Sequence, residues 1–365
     1  MRICFITSGL GFGGAEKMLV FVANQLSTRG HLCTIINLNK VPEYTNLYQR
    51  KIEQNIRVLC ISETPQGKNR NIFCVSQIKD ILIQNVVDVI IGFTEYPNLY
   101  AKIVGTILGI PSIMSERGDP TRKEVSGLRN RISKYIVNHS TGGVFQTAGA
   151  QSFYSKRLQS RSIIIPNPIF VTEELPDVSF KDRSKTVVSV GRLDNEQKRY
   201  DIMLKAFNVF SQKHPDYILK LYGKGADEGL IRQWIDEFKL SEKVRFMGLT
   251  TQPMTDIAHD GMFLITSDYE GISNSLLEAM AVGIPCVSTD HTPGGARLLI
   301  QDHINGLLAP VQDVEKLADA MCEYADNSDL AMICGNNAKG VLERFAPKRI
   351  IDMWESYILR IVESK

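Results

Sequence analysis

The sequence predicts an α/β protein of two domains, each a parallel sheet wound with helices on both faces. Three observations predict it. Short apolar runs alternate with amphipathic segments of helical length along nearly the whole chain. The alternation breaks once, at residues 169–184, where Pro, charge and lack of periodicity read as a linker. The length, 365 residues, suits two separate cores. The two halves are unlike in sequence, and no repeat of about 20 to 50 residues relates them.

Composition excludes several classes. A hydrophobic share of 44% is that of a globular chain, not a disordered one. Net charge is +2, which gives no case for nucleic acid as a partner. The seven cysteines form no C-x-x-C pair and are odd in number, so they read as buried thiols in a reducing compartment. The apolar run Ile3 to Ile6 is too short for a signal peptide, and no run reaches about 18 apolar residues. The expected location is the cytoplasm, free or peripheral on the inner face of the membrane.

In the first half, Arg2 to Thr7 reads as a strand, Ala15 to Ser27 as a helix and His31 to Leu38 as a second strand. Gly9, Gly11 and Gly14 between the first two satisfy G-x-G-x-x-G. A dinucleotide site also needs an acid at the end of the second strand. That strand ends Asn37-Leu-Asn-Lys40, which disfavours NAD and leaves a glycine loop approaching a substrate, or a bare turn. Strand-like runs follow at 56–61, 86–91, 111–114, 143–146 and 163–165, with helices at 73–84, 99–108 and 122–137. Glu95, Asn98, Glu116, Arg117 and Asp119 fall beyond strand ends, where open parallel sheets bind ligands. Helix 122–137 carries an apolar stripe of Val125, Leu128, Ile132 and Ile136, with Arg122, Lys123, Arg129, Arg131 and Lys134 on its other faces. It reads either as a core-packed helix with a solvated basic face or as a contact for anionic headgroups or a phosphorylated acceptor.

In the second half, strands are expected at 186–190, 217–222, 244–247, 262–266 and 285–288, and helices to about Lys213, at 230–238, 313–325, 329–344 and 348–363. The strand 262–266 leads into Glu270-Gly-Ile-Ser-Asn-Ser-Leu-Leu-Glu278. There Ser273, Asn274 or Ser275 can cap a helix. A strand, a polar turn and a helix start aim N–H groups at a crevice suited to phosphate or sugar hydroxyls.

The runs Gly11-Phe-Gly-Gly-Ala-Glu16, Gly191-Arg-Leu with Lys198, Val244 to Gly248, Glu270 to Glu278, Ala281 to Pro285 and Asn305-Gly-Leu-Leu308 occur in an order that resembles retaining glycosyltransferases of family 4. Each run alone is weak; the ordered set covers nearly the whole chain. The resemblance implies the GT-B fold, two Rossmann-like domains facing across a cleft, at 1–168 and 185–346, with helix 348–363 returning to the first. It implies transfer of a hexose from a UDP- or GDP-sugar, with no cofactor and no metal. In that scheme Arg192 and Lys198 bind the donor diphosphate and Glu270 the donor sugar. Gly191, Gly223 and the backbone of Gly271, Ile272, Ser273, Asn274 and Ser275 line the donor site. The backbone near Met247 meets the base, Glu278 the ribose, and Gly13 and Gly14 the cleft from the first domain. Many members carry a His over the donor sugar, and none lies at strand ends 92–98 or 115–120 here. Glu95, Asn98, Glu116 and Arg117 are the candidates for that side. Ser115-Glu-Arg-Gly-Asp-Pro120 resembles members that build bacterial surface polysaccharides on lipid carriers, so a lipid-linked glycan is the expected acceptor. The chain shows no D-x-D pair, so the two cations are expected to neutralise the leaving group. A nucleotide-sugar epimerase and a non-catalytic glycan- or partner-binding module are the alternatives.

Overall fold

Thirteen strands, all parallel to their neighbours, form two sheets in the computed structural model, which describes residues 1–11, 14–39, 51–61, 70–123, 127–171 and 174–364. Those of the first sheet are β1 (Arg2–Thr7), β2 (Leu32–Asn37), β3 (Arg57–Cys60), β4 (Val89–Phe93), β5 (Ser112–Glu116), β6 (Gly142–Phe145) and β7 (Ser162–Ile164). Their order is β3-β2-β1-β4-β5-β6-β7. The second sheet contains β8 (Thr186–Val190), β9 (Ile218–Tyr222), β10 (Val244–Gly248), β11 (Met262–Ile265), β12 (Cys286–Thr289) and β13 (Leu307–Ala309), ordered β10-β9-β8-β11-β12-β13. Each order reverses beside its first strand, the arrangement of a doubly wound fold.

Alternate strand residues enter opposite cores, as a sheet covered on both faces requires. Ile3 and Phe5 of β1 join one apolar cluster, Cys4 and Ile6 another. In the second sheet Val187, Leu219 and Leu264 lie in one cluster and Val188, Phe263 and Ile265 in the other. Six of the seven cysteines are buried and free; Cys60, on the edge strand β3, is exposed.

The chain divides into Met1–Asn167 with Lys348–Lys365, and Pro168–Pro347. The last helix, Pro347–Glu363, packs into the first unit. There Trp354 is fully buried and stacks on Phe93 with centroids 5.8 Å apart. The Tyr357 hydroxyl accepts from Gly143 N at 2.7 Å and donates to Arg161 O at 2.6 Å.

Several elements differ from expectation. The strand expected at 86–91 is Val89–Phe93: it starts where β1 offers ladder partners and runs on through Gly92. Gly92 marks a close approach, not a stop, since a Cβ there would lie 2.6 Å from Asn98 Cα. The following helix starts at Glu95, because Pro97 is tolerated in a first turn that lacks N–H partners anyway. Glu95 and Asn98 are therefore helical, not loop residues.

Helix 122–137 is instead a 3-10 turn, Pro120–Lys123, and a helix, Leu128–Val137. Glu124 and Val125 lie outside the described residues. The expected core stripe is also rotated: Leu128 is 73% and Ile132 49% exposed, while Ile136 and Val137 pack with Leu99 and Met114. The helix expected at 329–344 is two, Ser328–Ala338 and Val341–Arg344, parted at Lys339-Gly340, where glycine weakens helical continuity. Strand β13 forms in the Asn305-Gly-Leu-Leu308 run, to which periodicity gave no element.

Candidate functional site

The order of the second sheet reverses between β8 and β11, and the segments after these two strands carry the candidate residues. In such sheets the crevice outside the carboxyl ends at that reversal is the ligand position. After β8 the chain runs through Gly191 and Arg192 into a single helical turn, Asn195–Lys198. After β11 it passes Thr266 and Ser267 to Glu270, and Ser273 then caps the helix Asn274–Ala281, accepting from Leu276 N.

The two segments meet at an ion pair. Lys198 Nζ binds Glu270 Oε1, with both side chains almost fully covered. Ser267 Oγ donates to the same oxygen at 2.9 Å, and Glu270 N donates to Thr292 O at 2.8 Å. Burial pushes the Glu270 carboxyl up, but Lys198, then His291, and the Lys198 and Ser267 hydrogen bonds outweigh it, so the group lies below the usual carboxylate range. His291 is buried nearby, and burial holds its imidazole below the usual histidine value despite Glu270.

Arg192 is held looser at the rim. Its side chain is 72% exposed, and its guanidinium donates to Gln197 Oε1 at 2.9 Å. The floor is backbone. A Cβ on Gly223 would stand 1.8 Å from Gly191 O, and one on Gly295 would stand 1.7 Å from Gly271 O. Glycine is therefore required where these strand-end loops touch. Gly223 also takes φ +144°, which side chains rarely adopt.

The other donor-side candidates divide by exposure. Ile272 is a core residue, so only its backbone is free to serve a ligand. Ser273 and Ser275 share a hydroxyl contact of 3.2 Å. Asn274 and Glu278 are partly buried on the helix face, and Met247 is 43% exposed on β10. Among the described residues no three of His, Cys, Asp and Glu cluster in a way that could hold a metal ion. Ser267, Gln197 and His291 were not foreseen. Ser267 sits three residues before Glu270, a turn spacing that could have revealed it.

The first-unit candidates lie elsewhere. Gly13 is outside the described residues, and Gly14 opens the helix Gly14–Thr28. Glu95, Asn98 and Glu116 line one cavity of about 470 Å³, together with Lys134, Phe153 and Tyr154. Within it the Glu116 carboxylate accepts from Tyr154 Oη at 2.9 Å and from Arg117 N at 3.1 Å. Burial, then Glu116, raises the Tyr154 phenol well above its ordinary value. Asn98 bonds both ways with the Ser115 backbone, at 3.0 and 3.2 Å, so its amide is committed to fastening helix to strand. Arg117 is not part of the lining. Its buried guanidinium donates to Ile165 O and Asn167 Oδ1, and burial lowers it to about 9. Asp119 caps the next turn, accepting from Thr121 N at 2.9 Å.

Residues 171–341 match the family model described as glycosyl transferases group 1. An uncharacterized glycosyltransferase of Haemophilus influenzae is 22% identical over 98% of this chain and 99% of its own. An alpha-1,4-N-acetyl-D-galactosaminyltransferase of Campylobacter jejuni, named for a PP-undecaprenol-linked acceptor, is 23% identical over 99% of both. Among solved structures, HepE of Anabaena in complex with UDP and glucose superposes with TM-score 0.81 at 19% identity, covering 99% of this chain and 100% of that one. The lipopolysaccharide outer core galactosyltransferase WaaB gives TM-score 0.80 at 19% identity, with 99% of both chains covered.

The fold is thus GT-B, the two-sheet architecture of glycosyltransferases. Residues 171–341 are similar to the group 1 glycosyl transferases, and along its length the chain resembles enzymes of bacterial surface-polysaccharide synthesis.

Proposed function

We propose that the protein is a configuration-retaining, metal-independent glycosyltransferase that moves a hexose from a UDP- or GDP-sugar to a glycan hydroxyl. The observation that carries this reading is the buried Lys198–Glu270 pair at the order reversal of the second sheet, with Arg192 beside it. A departing nucleoside diphosphate gains charge on its outer phosphate. Fixed cations at that point lower the barrier, Arg as a fork and Lys as a point charge. The backbone N–H groups at the start of helix Asn274–Ala281 add to that field.

Glu270 serves the donor sugar as a hydrogen-bond acceptor. One of its oxygens is already held by Lys198 and Ser267, which suits a fixed grip better than a mobile nucleophile. A covalent glycosyl-enzyme is therefore not part of the scheme. Glu278 takes the ribose hydroxyls. Glu278→Gln is expected to weaken UDP binding about tenfold, the cost of one charge-assisted hydrogen bond. Calorimetric titration checks this, and wild-type affinity would remove Glu278 from the ribose. UDP is the preferred nucleotide because the HepE structures hold UDP, UDP with glucose, or UDP-glucose.

The acceptor in this reading is a lipid-linked glycan bound at the first unit, with Glu95 and Glu116 of the 470 Å³ cavity offering acceptors to its hydroxyls. The relative named for a PP-undecaprenol acceptor supports that class. Leu128, Ile132 and Tyr135 are exposed along the helix that also carries Arg131 and Lys134, which suits the face of an anionic membrane. Wild-type protein is expected to float with anionic vesicles and Leu128→Ser/Ile132→Ser to float less; equal flotation of the two would remove this helix from the contact.

The activity test incubates a panel of nucleotide sugars with and without bacterial lipid-linked glycans, in EDTA. Release of nucleoside diphosphate only with acceptor, unaffected by EDTA, is expected. Conversion of the sugar without acceptor would mark an epimerase instead, and strict dependence on Mn²⁺ would overturn the charge-clamp scheme.

A further inference from the structure

We infer that Arg199 is a positioning residue for transfer: it fixes Lys198 at the donor diphosphate by tying the loop after β8 to the loops after β11 and β13. This rests on the reading of Lys198 given above.

Arg199 is the hinge between the turn Asn195–Lys198 and the helix Tyr200–Lys213, and it takes φ +52°, ψ +54°. That left-handed conformation is unfavourable for a residue with a Cβ. The side chain supplies the compensation. Nε and Nη2 fork onto Asp201 at 2.9 and 2.8 Å, and Nη1 reaches Asp268 at 2.8 Å. All three side chains are mostly covered, so the pairs are little screened by solvent. Asp268 is held in turn by Gln312 Nε2 at 2.8 Å, from the loop after β13.

The backbone completes the clasp. Thr266 Oγ1 donates to Lys198 O at 2.8 Å, and Asp268 N donates to Gln197 O at 3.0 Å. Gln197 Nε2 donates to Tyr269 O at 3.1 Å. Lys198 thus enters the Glu270 pair from a segment whose far end is locked by Arg199. Glycine would fit the φ with less strain, yet it could not make the three-way contact. Displacement of a catalytic group by about an ångström costs up to about 100-fold in rate.

The test is a double-mutant cycle on the full chain, read as nucleoside diphosphate release with the transferase assay above. Arg199→Gly eases the backbone while removing the clasp. Assayed below its own unfolding transition, it is expected to lower kcat about 10- to 100-fold with little change in KM for acceptor. Combined with Lys198→Ala it is expected to slow the reaction no more than Lys198→Ala alone, because one residue acts through the other. Multiplying effects, or full activity of Arg199→Gly, would overturn the inference while leaving the transferase reading in place. Full activity of Lys198→Ala would instead remove the reading on which it rests. Asp268→Ala removes the acceptor on the opposite loop without touching the left-handed residue. It is expected to show the same loss and the same lack of additivity, and it decides the matter if Arg199→Gly fails to fold.

Discussion

Lys198→Ala is expected to lower turnover about 100- to 1000-fold, the usual cost of removing a preorganised group that meets charge developing in the transition state. Two consequences follow from the geometry. In the proposed scheme the reacting phosphate loses a buried cation, and Glu270 is left buried without its partner. Breaking such a pair typically destabilises by about 3–5 kcal/mol. The pH dependence has a definite sign. In the wild type the Glu270 carboxyl lies below its ordinary value, so its share of stability is full above that value and fades as pH falls through the lowered one. Without Lys198 the largest lowering influence is gone and burial dominates. The stability gap between wild type and Lys198→Ala should therefore be widest at neutral pH and narrow below the ordinary carboxylate value of about 4.3. Thermal unfolding of both proteins from pH 7 to pH 3 checks it. A gap that widens in acid would contradict the assignment of the pair.

Trp354→Ala is expected to destabilise the protein by about 3–5 kcal/mol. Trp354 is the largest fully buried side chain, it stacks on Phe93 at an interplanar angle of 12°, and it lies in the core cluster with Phe5 and Ile91. Its indole Nε1 finds no hydrogen-bond partner among the described residues, so its deletion removes apolar contact and sacrifices no polar bond. The loss belongs to the first unit. The chain has two tryptophans, and the other, Trp234, packs in the second unit's core, so its fluorescence reports on that unit once Trp354 is gone. Urea unfolding followed by circular dichroism should begin earlier in the variant, while Trp234 fluorescence keeps its midpoint. An unmoved dichroism curve would mean that the last helix does not stabilise the first unit as its packing indicates.

Both sheets were legible in the sequence because parallel strands covered on two faces read as short continuous apolar runs. Strands such as Arg2–Thr7 and Met262–Ile265 carry that signal almost to the residue. Where a local rule misled, tertiary contact had decided. Gly92 looked like a strand end, but it is a strand residue chosen for the Asn98 backbone lying on it. Leu128 and Ile132 kept helical spacing, and the spacing could not say which face meets the core. The site shows the same division. Arg192, Lys198 and Glu270 stand out by residue type and order. Their supports, Ser267, Gln197, His291 and Arg199, are ordinary residues whose work appears only when the loops after β8, β11 and β12 are brought together.

The central claim, that the second unit grips a nucleoside diphosphate through Lys198, is tested most directly by calorimetric titration of UDP and GDP in EDTA into wild type and Lys198→Ala. Binding of one nucleotide by the wild type without metal, weakened by at least about tenfold in the variant, is the expected result. Equal affinity in the two proteins, or no binding until a divalent metal is added, would contradict the account.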